Sequence, residues 1–163
     1  MDNTYSEVII KTVPKMVLAQ YAVISRYPET DAAIHMENWI NNSGIRKKTN
    51  EELRLIGWDF PFISDEQLGF GMRGYVSACI LPEKINYDPE DMEIAEIAEN
   101  RYATLTIKEP HIDALRIIPN GYKKIFDYIE NNGITQSWEN RVTFEEEYTR
   151  GDTRYLDIYI PIL

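Results

Sequence analysis

Three consecutive glutamates, Glu145, Glu146 and Glu147, interrupt a run of strand-forming residues, Val142-Thr143-Phe144-Glu145-Glu146-Glu147-Tyr148. Side chains alternate along a strand, so Phe144, Glu146 and Tyr148 share one side, and Thr143, Glu145 and Glu147 share the other. Two acids on the second side read as a solvent face, which leaves Glu146 turned inward between two rings. A carboxylate on an apolar face is costly unless it is paired or kept for a cationic guest. Rings around such a carboxylate suit a flat organic cation, which gains charge pairing and cation–π attraction together. Trp58, Phe60, Tyr75, Tyr102, Trp138 and Tyr148 are the aromatic residues expected to line the pocket with Glu146, although most rings in any domain are plain core. Three alternatives stay open. All three glutamates are hydrated, or Glu146 pairs with an arginine such as Arg101 or Arg154, or the register slips by one and Glu145 or Glu147 faces the pocket.

Other chemistries find little material. His35 lies off the apolar stripe of its helix, beside Asn38 and Asn42, and reads as hydrated; His111 falls in a loop beside Pro110. Two histidines and a single cysteine, Cys79, leave no structural zinc spacing and no intrachain disulfide. No metal and no cofactor is expected. There is no Gly-x-Ser-x-Gly elbow for a serine nucleophile. Gly69-Phe70-Gly71-Met72-Arg73-Gly74 looks like a glycine loop, but no helix or Lys-Ser/Thr pair follows it, so it reads as a turn and not a phosphate cradle.

The elements that must position these residues are written twice. Ala32, Met36, Trp39, Ile40 and Ser43 keep helical spacing over residues 29–43, with Gly44 as the stop. Ile118, Tyr122, Ile125, Phe126 and Ile129 do the same in a helix expected to start near Pro119 and to end at Gly133. An offset of 89 residues lays Trp39-Ile-Asn-Asn-Ser-Gly-Ile on Tyr128-Ile-Glu-Asn-Asn-Gly-Ile. Two strands precede each helix, over 8–12 and 16–24 and again over 92–97 and 102–107. Two more follow, over 55–58 and 75–82 and again over 142–148 and 155–161. The expectation is an α+β fold with an antiparallel sheet and two main helices. It is a pseudo-twofold duplication of a strand-strand-helix-strand-strand unit, with halves of about 1–86 and 87–163 joined near Asn86 to Asp91 and a ligand cleft between them.

A chain of 163 residues is the size of one domain with a sizeable core, and 44% hydrophobic with 27% charged residues is ordinary for a globular protein. Seventeen Lys and Arg against 27 Asp and Glu give a net charge of −10, which repels phosphate backbones and makes direct nucleic-acid binding a poor expectation. The N-terminus lacks the basic start and apolar run of a signal peptide, and no stretch has the apolar length of a membrane helix. The chain therefore reads as soluble and cytoplasmic, without a membrane partner.

The duplicated order, the Glu-x-Tyr strand (Glu146, Tyr148), the closing Asp157-Ile-Tyr-Ile-Pro-Ile162, and Trp58-Asp-Phe-Pro61 followed by Tyr75-Val-Ser-Ala-Cys-Ile80 resemble the GyrI-like small-molecule-binding family. This family includes the effector-binding domain of AraC- and MerR-type transcription activators. The resemblance covers essentially the whole chain. It implies a ligand cleft at the pseudo-twofold, with Glu146 at the position that meets cationic aromatic compounds in drug-sensing members. Residues 1–12 are too short for the helix-turn-helix that precedes this module in the regulators, so a stand-alone bacterial-type member is expected. The resemblance leaves three functions in play. The first is capture of a small hydrophobic, cationic or aromatic molecule for sensing or sequestration. The second is hydrolysis of reactive strained-ring natural products, with Glu146 activating water and Tyr148 or Tyr102 donating a proton. The third is an interaction protein that inhibits DNA gyrase or meets a regulator.

Overall fold

The computed structural model describes residues 3–82, 92–138 and 142–163, so the join expected near Asn86 to Asp91 lies outside the described residues. Strands β1 (Ile9–Val13) and β2 (Met16–Ser25) lead into helix α1 (Pro28–Ser43), a short α2 (Ile45–Lys48), β3 (Arg54–Asp59), α3 (Asp65–Gly69) and β4 (Arg73–Ile80). Strands β5 (Glu93–Ile97) and β6 (Asn100–Lys108), a 3-10 turn over Pro110–Asp113, helix α4 (Ala114–Asn131), β7 (Phe144–Arg150) and β8 (Thr153–Ile162) repeat the order. The fold is α+β, every described strand pairing is antiparallel, and the duplicated strand-strand-helix-strand-strand order is present.

The compact units are not consecutive stretches of chain. A terminal unit comprises Met1–Lys15 with Ala98–Leu163, and a middle unit comprises Met16–Ile97. The two strands before each helix do not pair with one another. Strand β1 pairs with β6, Ile10 facing Ala103, and β5 pairs with β2, Ile97 facing Met16. Each unit's four strands thus include one edge strand from the other half of the sequence: β1 in the order β1-β6-β8-β7, and β5 in the order β3-β4-β2-β5.

In the middle unit, α1 lays Met36, Trp39 and Ile40 on Ala19 of β2 and Cys79 of β4. Pro28 opens this helix, where its missing N–H has no partner to lose, and Glu29 and Asp31 complement the positive end of the helix dipole. Gly44 closes it at φ 68°, a left-handed conformation that side chains with a Cβ adopt at a cost.

In the terminal unit, α4 packs Ile117, Ile125 and Ile129 on Ala103, Leu105, Ile107, Leu156, Ile158, Ile160 and Ile162. A Cβ at Gly121 would lie 2.7 Å from Ile107 Cδ1, so glycine lets the helix approach the sheet this closely. The helix begins at Ala114 and not near Pro119, which lies inside it. Proline is tolerated there because the carbonyl deprived of its N–H, four residues back, belongs to Leu115, which is 93% exposed and open to water. The earlier start also shifts the buried stripe: Ile117 and Gly121 join it, and Phe126, expected inside, is exposed.

Proline within β8 is explained by register. The pairing of β7 with β8 ends at Phe144 opposite Tyr159, so Pro161 lies beyond it, and its carbonyl accepts the Ser137 N–H at 3.0 Å. Among the described residues no helix is long and apolar enough to cross a membrane.

Candidate functional site

The sheet of the terminal unit has one face covered by α4 and a second of different chemistry. Alternation puts Lys11 of β1, Tyr102, Thr104 and Thr106 of β6, Tyr155, Asp157 and Tyr159 of β8, and Phe144, Glu146 and Tyr148 of β7 on that second face. The rings interlock. Phe144 stacks on Tyr159 with centroids 4.6 Å apart, Tyr102 meets both edge-on, and Tyr148 stacks on Tyr155 at 5.6 Å. Lys11 Nζ lies 5.8 Å from the centroid of Tyr159.

Glu146 is only 7% exposed, between Phe144 and Tyr148 along its strand. Its neighbours fall on the opposite side, the one that carries α4, where Glu145 is partly buried, against the solvent face expected for it, and Glu147 is exposed. Glu145 accepts a hydrogen bond from the Tyr122 hydroxyl of α4 at 2.5 Å, and Glu147 meets His111 Nε2 at 2.7 Å. His111 thus has a carboxylate partner at the head of α4. Arg101 and Arg154 alternate with the helix-facing residues Ala103 and Leu156, so neither shares a face with Glu146.

Directly opposite Glu146 in the register stands Asp157, which is itself opposite Thr106 on its other flank. Asp157 Oδ1 accepts the Thr106 hydroxyl at 2.6 Å and the Tyr148 hydroxyl at 3.1 Å. Burial pushes the Asp157 carboxyl above the ordinary carboxylate value, and the negative charge of Glu146 adds to this; the two hydrogen bonds and Lys11 pull the other way. The Tyr148 hydroxyl is also pushed up, by burial first and then by the negative charge of Asp157 and the hydrogen bond to it. Tyr148 therefore keeps its proton and donates it toward Asp157.

Asp157 opens the closing Asp157-Ile-Tyr-Ile-Pro-Ile162 motif but is absent from the pocket residues expected from the sequence. Its signal was nonetheless there: Tyr155-x-Asp157-x-Tyr159 repeats the ring-acid-ring alternation of Phe144-x-Glu146-x-Tyr148 on the paired strand.

The remaining expected lining residues scatter. Tyr102 shares the face of Glu146 and Tyr148 but is fully buried under its neighbours' rings. Trp138 is 77% exposed in the segment between α4 and β7. Trp58, Phe60 and Tyr75 belong to the middle unit. There Tyr75 alternates with Ser77 and Cys79 on the α1 side, its ring lying over Gly57, whereas Trp58 shares the opposite face with Val76. Trp58 and Tyr75 therefore do not line one surface of their own sheet. Phe60 packs over Gly74 and meets Phe62 edge-on at 5.4 Å.

The stretch from Gly69 to Gly74 is a turn closing α3, with Gly71 at φ 75°, and it runs into a strand and not a helix. His35, expected to be hydrated, is partly buried and stacks on Tyr21 with centroids 3.6 Å apart. Among the described residues no group of three or more His, Cys, Asp and Glu side chains could hold a metal ion.

No protein-family model matches the sequence, and no curated protein matches it. Solved structures match the fold over nearly the whole chain. A hydrolase from Listeria innocua superposes with a TM-score of 0.62 at 9% identity, covering 96% of this chain and 92% of that one. SAV2435 bound to tetraphenylphosphonium gives 0.60 at 11% identity, covering 97% and 94%. The C-terminal domain of EcmrR gives 0.61 at 14% identity, covering 96% and 97%. At such identities the likeness is one of fold: this chain is similar in architecture to the C-terminal domain of EcmrR, a ligand-bound protein and a hydrolase alike.

Proposed function

We propose that this chain is a GyrI-like protein that binds a small hydrophobic, cationic or aromatic molecule for sensing or sequestration, with Glu146 as its counter-ion. The observation that carries this reading is the Glu146 carboxylate, 7% exposed on a face built of Phe144, Tyr148, Tyr155 and Tyr159. A dehydrated acid among π-faces favours a cation that brings its own apolar surface, because neither partner then has to recover a full hydration shell. Tyr148 is the ring best placed to accompany it, being partly exposed beside Glu146. SAV2435, which shares the fold, is bound to a lipophilic aromatic cation, so tetraphenylphosphonium is the natural first probe.

Titration calorimetry with tetraphenylphosphonium and a panel of lipophilic dyes, on the wild type and on Glu146→Gln, tests the reading. Loss of a desolvated charge pairing predicts at least about a tenfold weaker cation affinity in the variant, or roughly 1.4 kcal/mol. Equal affinities in the two proteins would sink it.

A second reading has an observation of its own. Tyr148 holds a proton next to two carboxylates, which is the arrangement of a general acid beside a general base, and the fold is also that of a hydrolase. Glu146 would take the proton of an attacking water and Tyr148 would protonate the leaving oxygen of a strained ring. Turnover separates the two readings: a hydrolase yields more product than protein, whereas a binding protein stops at one equivalent.

A further inference from the structure

Building on the reading of Glu146 as a counter-ion, we propose that Asp157 is the proton-holding member of a two-carboxylate site. A cation captured beside Glu146 drives that proton into solvent, and binding is thereby coupled to pH.

Glu146 and Asp157 are direct partners in the antiparallel register of β7 and β8, on the face turned away from α4. Side chains in that relation have Cβ atoms about 4.5–5.5 Å apart, and like charges placed there repel. Glu146 is almost wholly withdrawn from water, so little solvent screens the repulsion. One proton shared by the pair relieves it.

The surroundings assign that proton to Asp157. Its Oδ1 already accepts from Thr106 and Tyr148, and a neutral carboxyl can keep both bonds at that oxygen while the proton sits on Oδ2. Among the described residues of this unit's strands, the groups facing Asp157 are Glu146 and Tyr148 from β7, Thr106 from β6, Lys11 from β1, and Tyr155 and Tyr159 on its own strand. Arg150 lies farther out, 5.4 Å from the Tyr148 ring centroid. Lys11 and the two hydroxyls favour the anion, and burial and Glu146 oppose it; the balance falls on the protonated side of an ordinary aspartate.

A cation seated on Glu146 reverses that balance by supplying positive charge where the repulsion arose. Asp157 ionises, and its proton passes to water and buffer. A neutral aromatic ligand brings no charge and releases no proton. Discrimination of cations over neutral molecules of the same shape therefore sharpens as pH rises.

The test is tetraphenylphosphonium calorimetry on the full chain, from about pH 4.5 to pH 7.5, in two buffers of different ionisation heat. The wild type is expected to release protons on binding, with affinity rising by up to about tenfold per pH unit where the release is greatest. At that pH, Asp157→Asn is expected to bind the cation and to release less than half as many protons. Thr106→Val removes a donor that favours the anion, so its window of release is expected to move to higher pH; it carries the test if circular dichroism shows Asp157→Asn unfolded. Proton counts that match between wild type and Asp157→Asn, or an unmoved window in Thr106→Val, overturn the inference and leave the role of Glu146 standing. No tetraphenylphosphonium binding by the wild type at any pH overturns the functional reading and the inference together.

Discussion

Replacing Gly57 by alanine places a methyl group where a ring already is. A Cβ built on Gly57 would lie 1.8 Å from the Tyr75 hydroxyl oxygen and 2.4 Å from Cζ. Non-bonded heavy atoms settle at about 3.5 Å, so the ring would have to withdraw by roughly 1.5 Å from a buried strand position. Overpacking of this kind costs about 1–3 kcal/mol. Against it stands the reduced backbone freedom of alanine in the unfolded chain, about 0.5–1 kcal/mol for a strand interior. The net expectation is a loss of about 0.5–2 kcal/mol for Gly57→Ala in the wild type.

In a Tyr75→Ala background the obstruction is gone, and the same substitution is expected to stabilise by about 0.5 kcal/mol. The effect of one methyl group thus changes sign with its neighbour, a coupling of about 1–3 kcal/mol. Urea unfolding of the four proteins measures it, through midpoints compared at a common slope. If Gly57→Ala destabilised both backgrounds equally, the Tyr75 ring would not be what fills that space, and its assignment to the α1 side of the sheet would fall with it.

Two further outcomes follow from the core. Ile158 is fully buried between α4 and the sheet, so Ile158→Ala is expected to lose about 2–5 kcal/mol in the same urea assay; a loss under about 1 kcal/mol would mean that α4 collapses onto the vacated space. Cys79 is buried, and burial pushes its thiol from 9.0 up to about 11, with Arg46 opposing, so it should resist a thiol reagent at pH 8 until the chain unfolds. Because the unfolded thiol ionises first, this contribution to stability is complete below 9.0 and falls as pH rises from there through about 11, which alkaline unfolding of Cys79→Ala against wild type would reveal. Rapid labelling of the native protein would place Cys79 at the surface.

Periodicity carries local information, and the local features of this chain are legible in it. The helical stripe of Ala32, Met36, Trp39 and Ile40, the glycine stop at Gly44 and the inward turn of Glu146 all follow from spacings of 3.6 and 2 residues. So does the duplicated order of elements, because each half carries the same patterns in the same sequence. The proline at 119 misled on the start of α4 because its local meaning, a helix opening, was overridden by burial of Ile117 two residues earlier.

What lay beyond the sequence is everything that depends on which strand meets which. Alternation shows that Glu145 and Glu147 share a side, but only the position of α4 shows that this side is covered at Glu145, which meets Tyr122, while Glu147 stays exposed beside His111. The same parity that separates Arg101 and Arg154 from Glu146 needs the pairing of β6 with β8 before it can be applied. Strand exchange between the halves was invisible, since an edge strand of five residues carries no record of its partner. Asp157 became part of the site only through register: two residues eleven apart in the chain become direct neighbours when a two-residue loop, Gly151-Asp152, folds β7 back on β8. A carboxylate's meaning is set by the charge across from it, and that is a property of pairing between strands, which no single strand encodes.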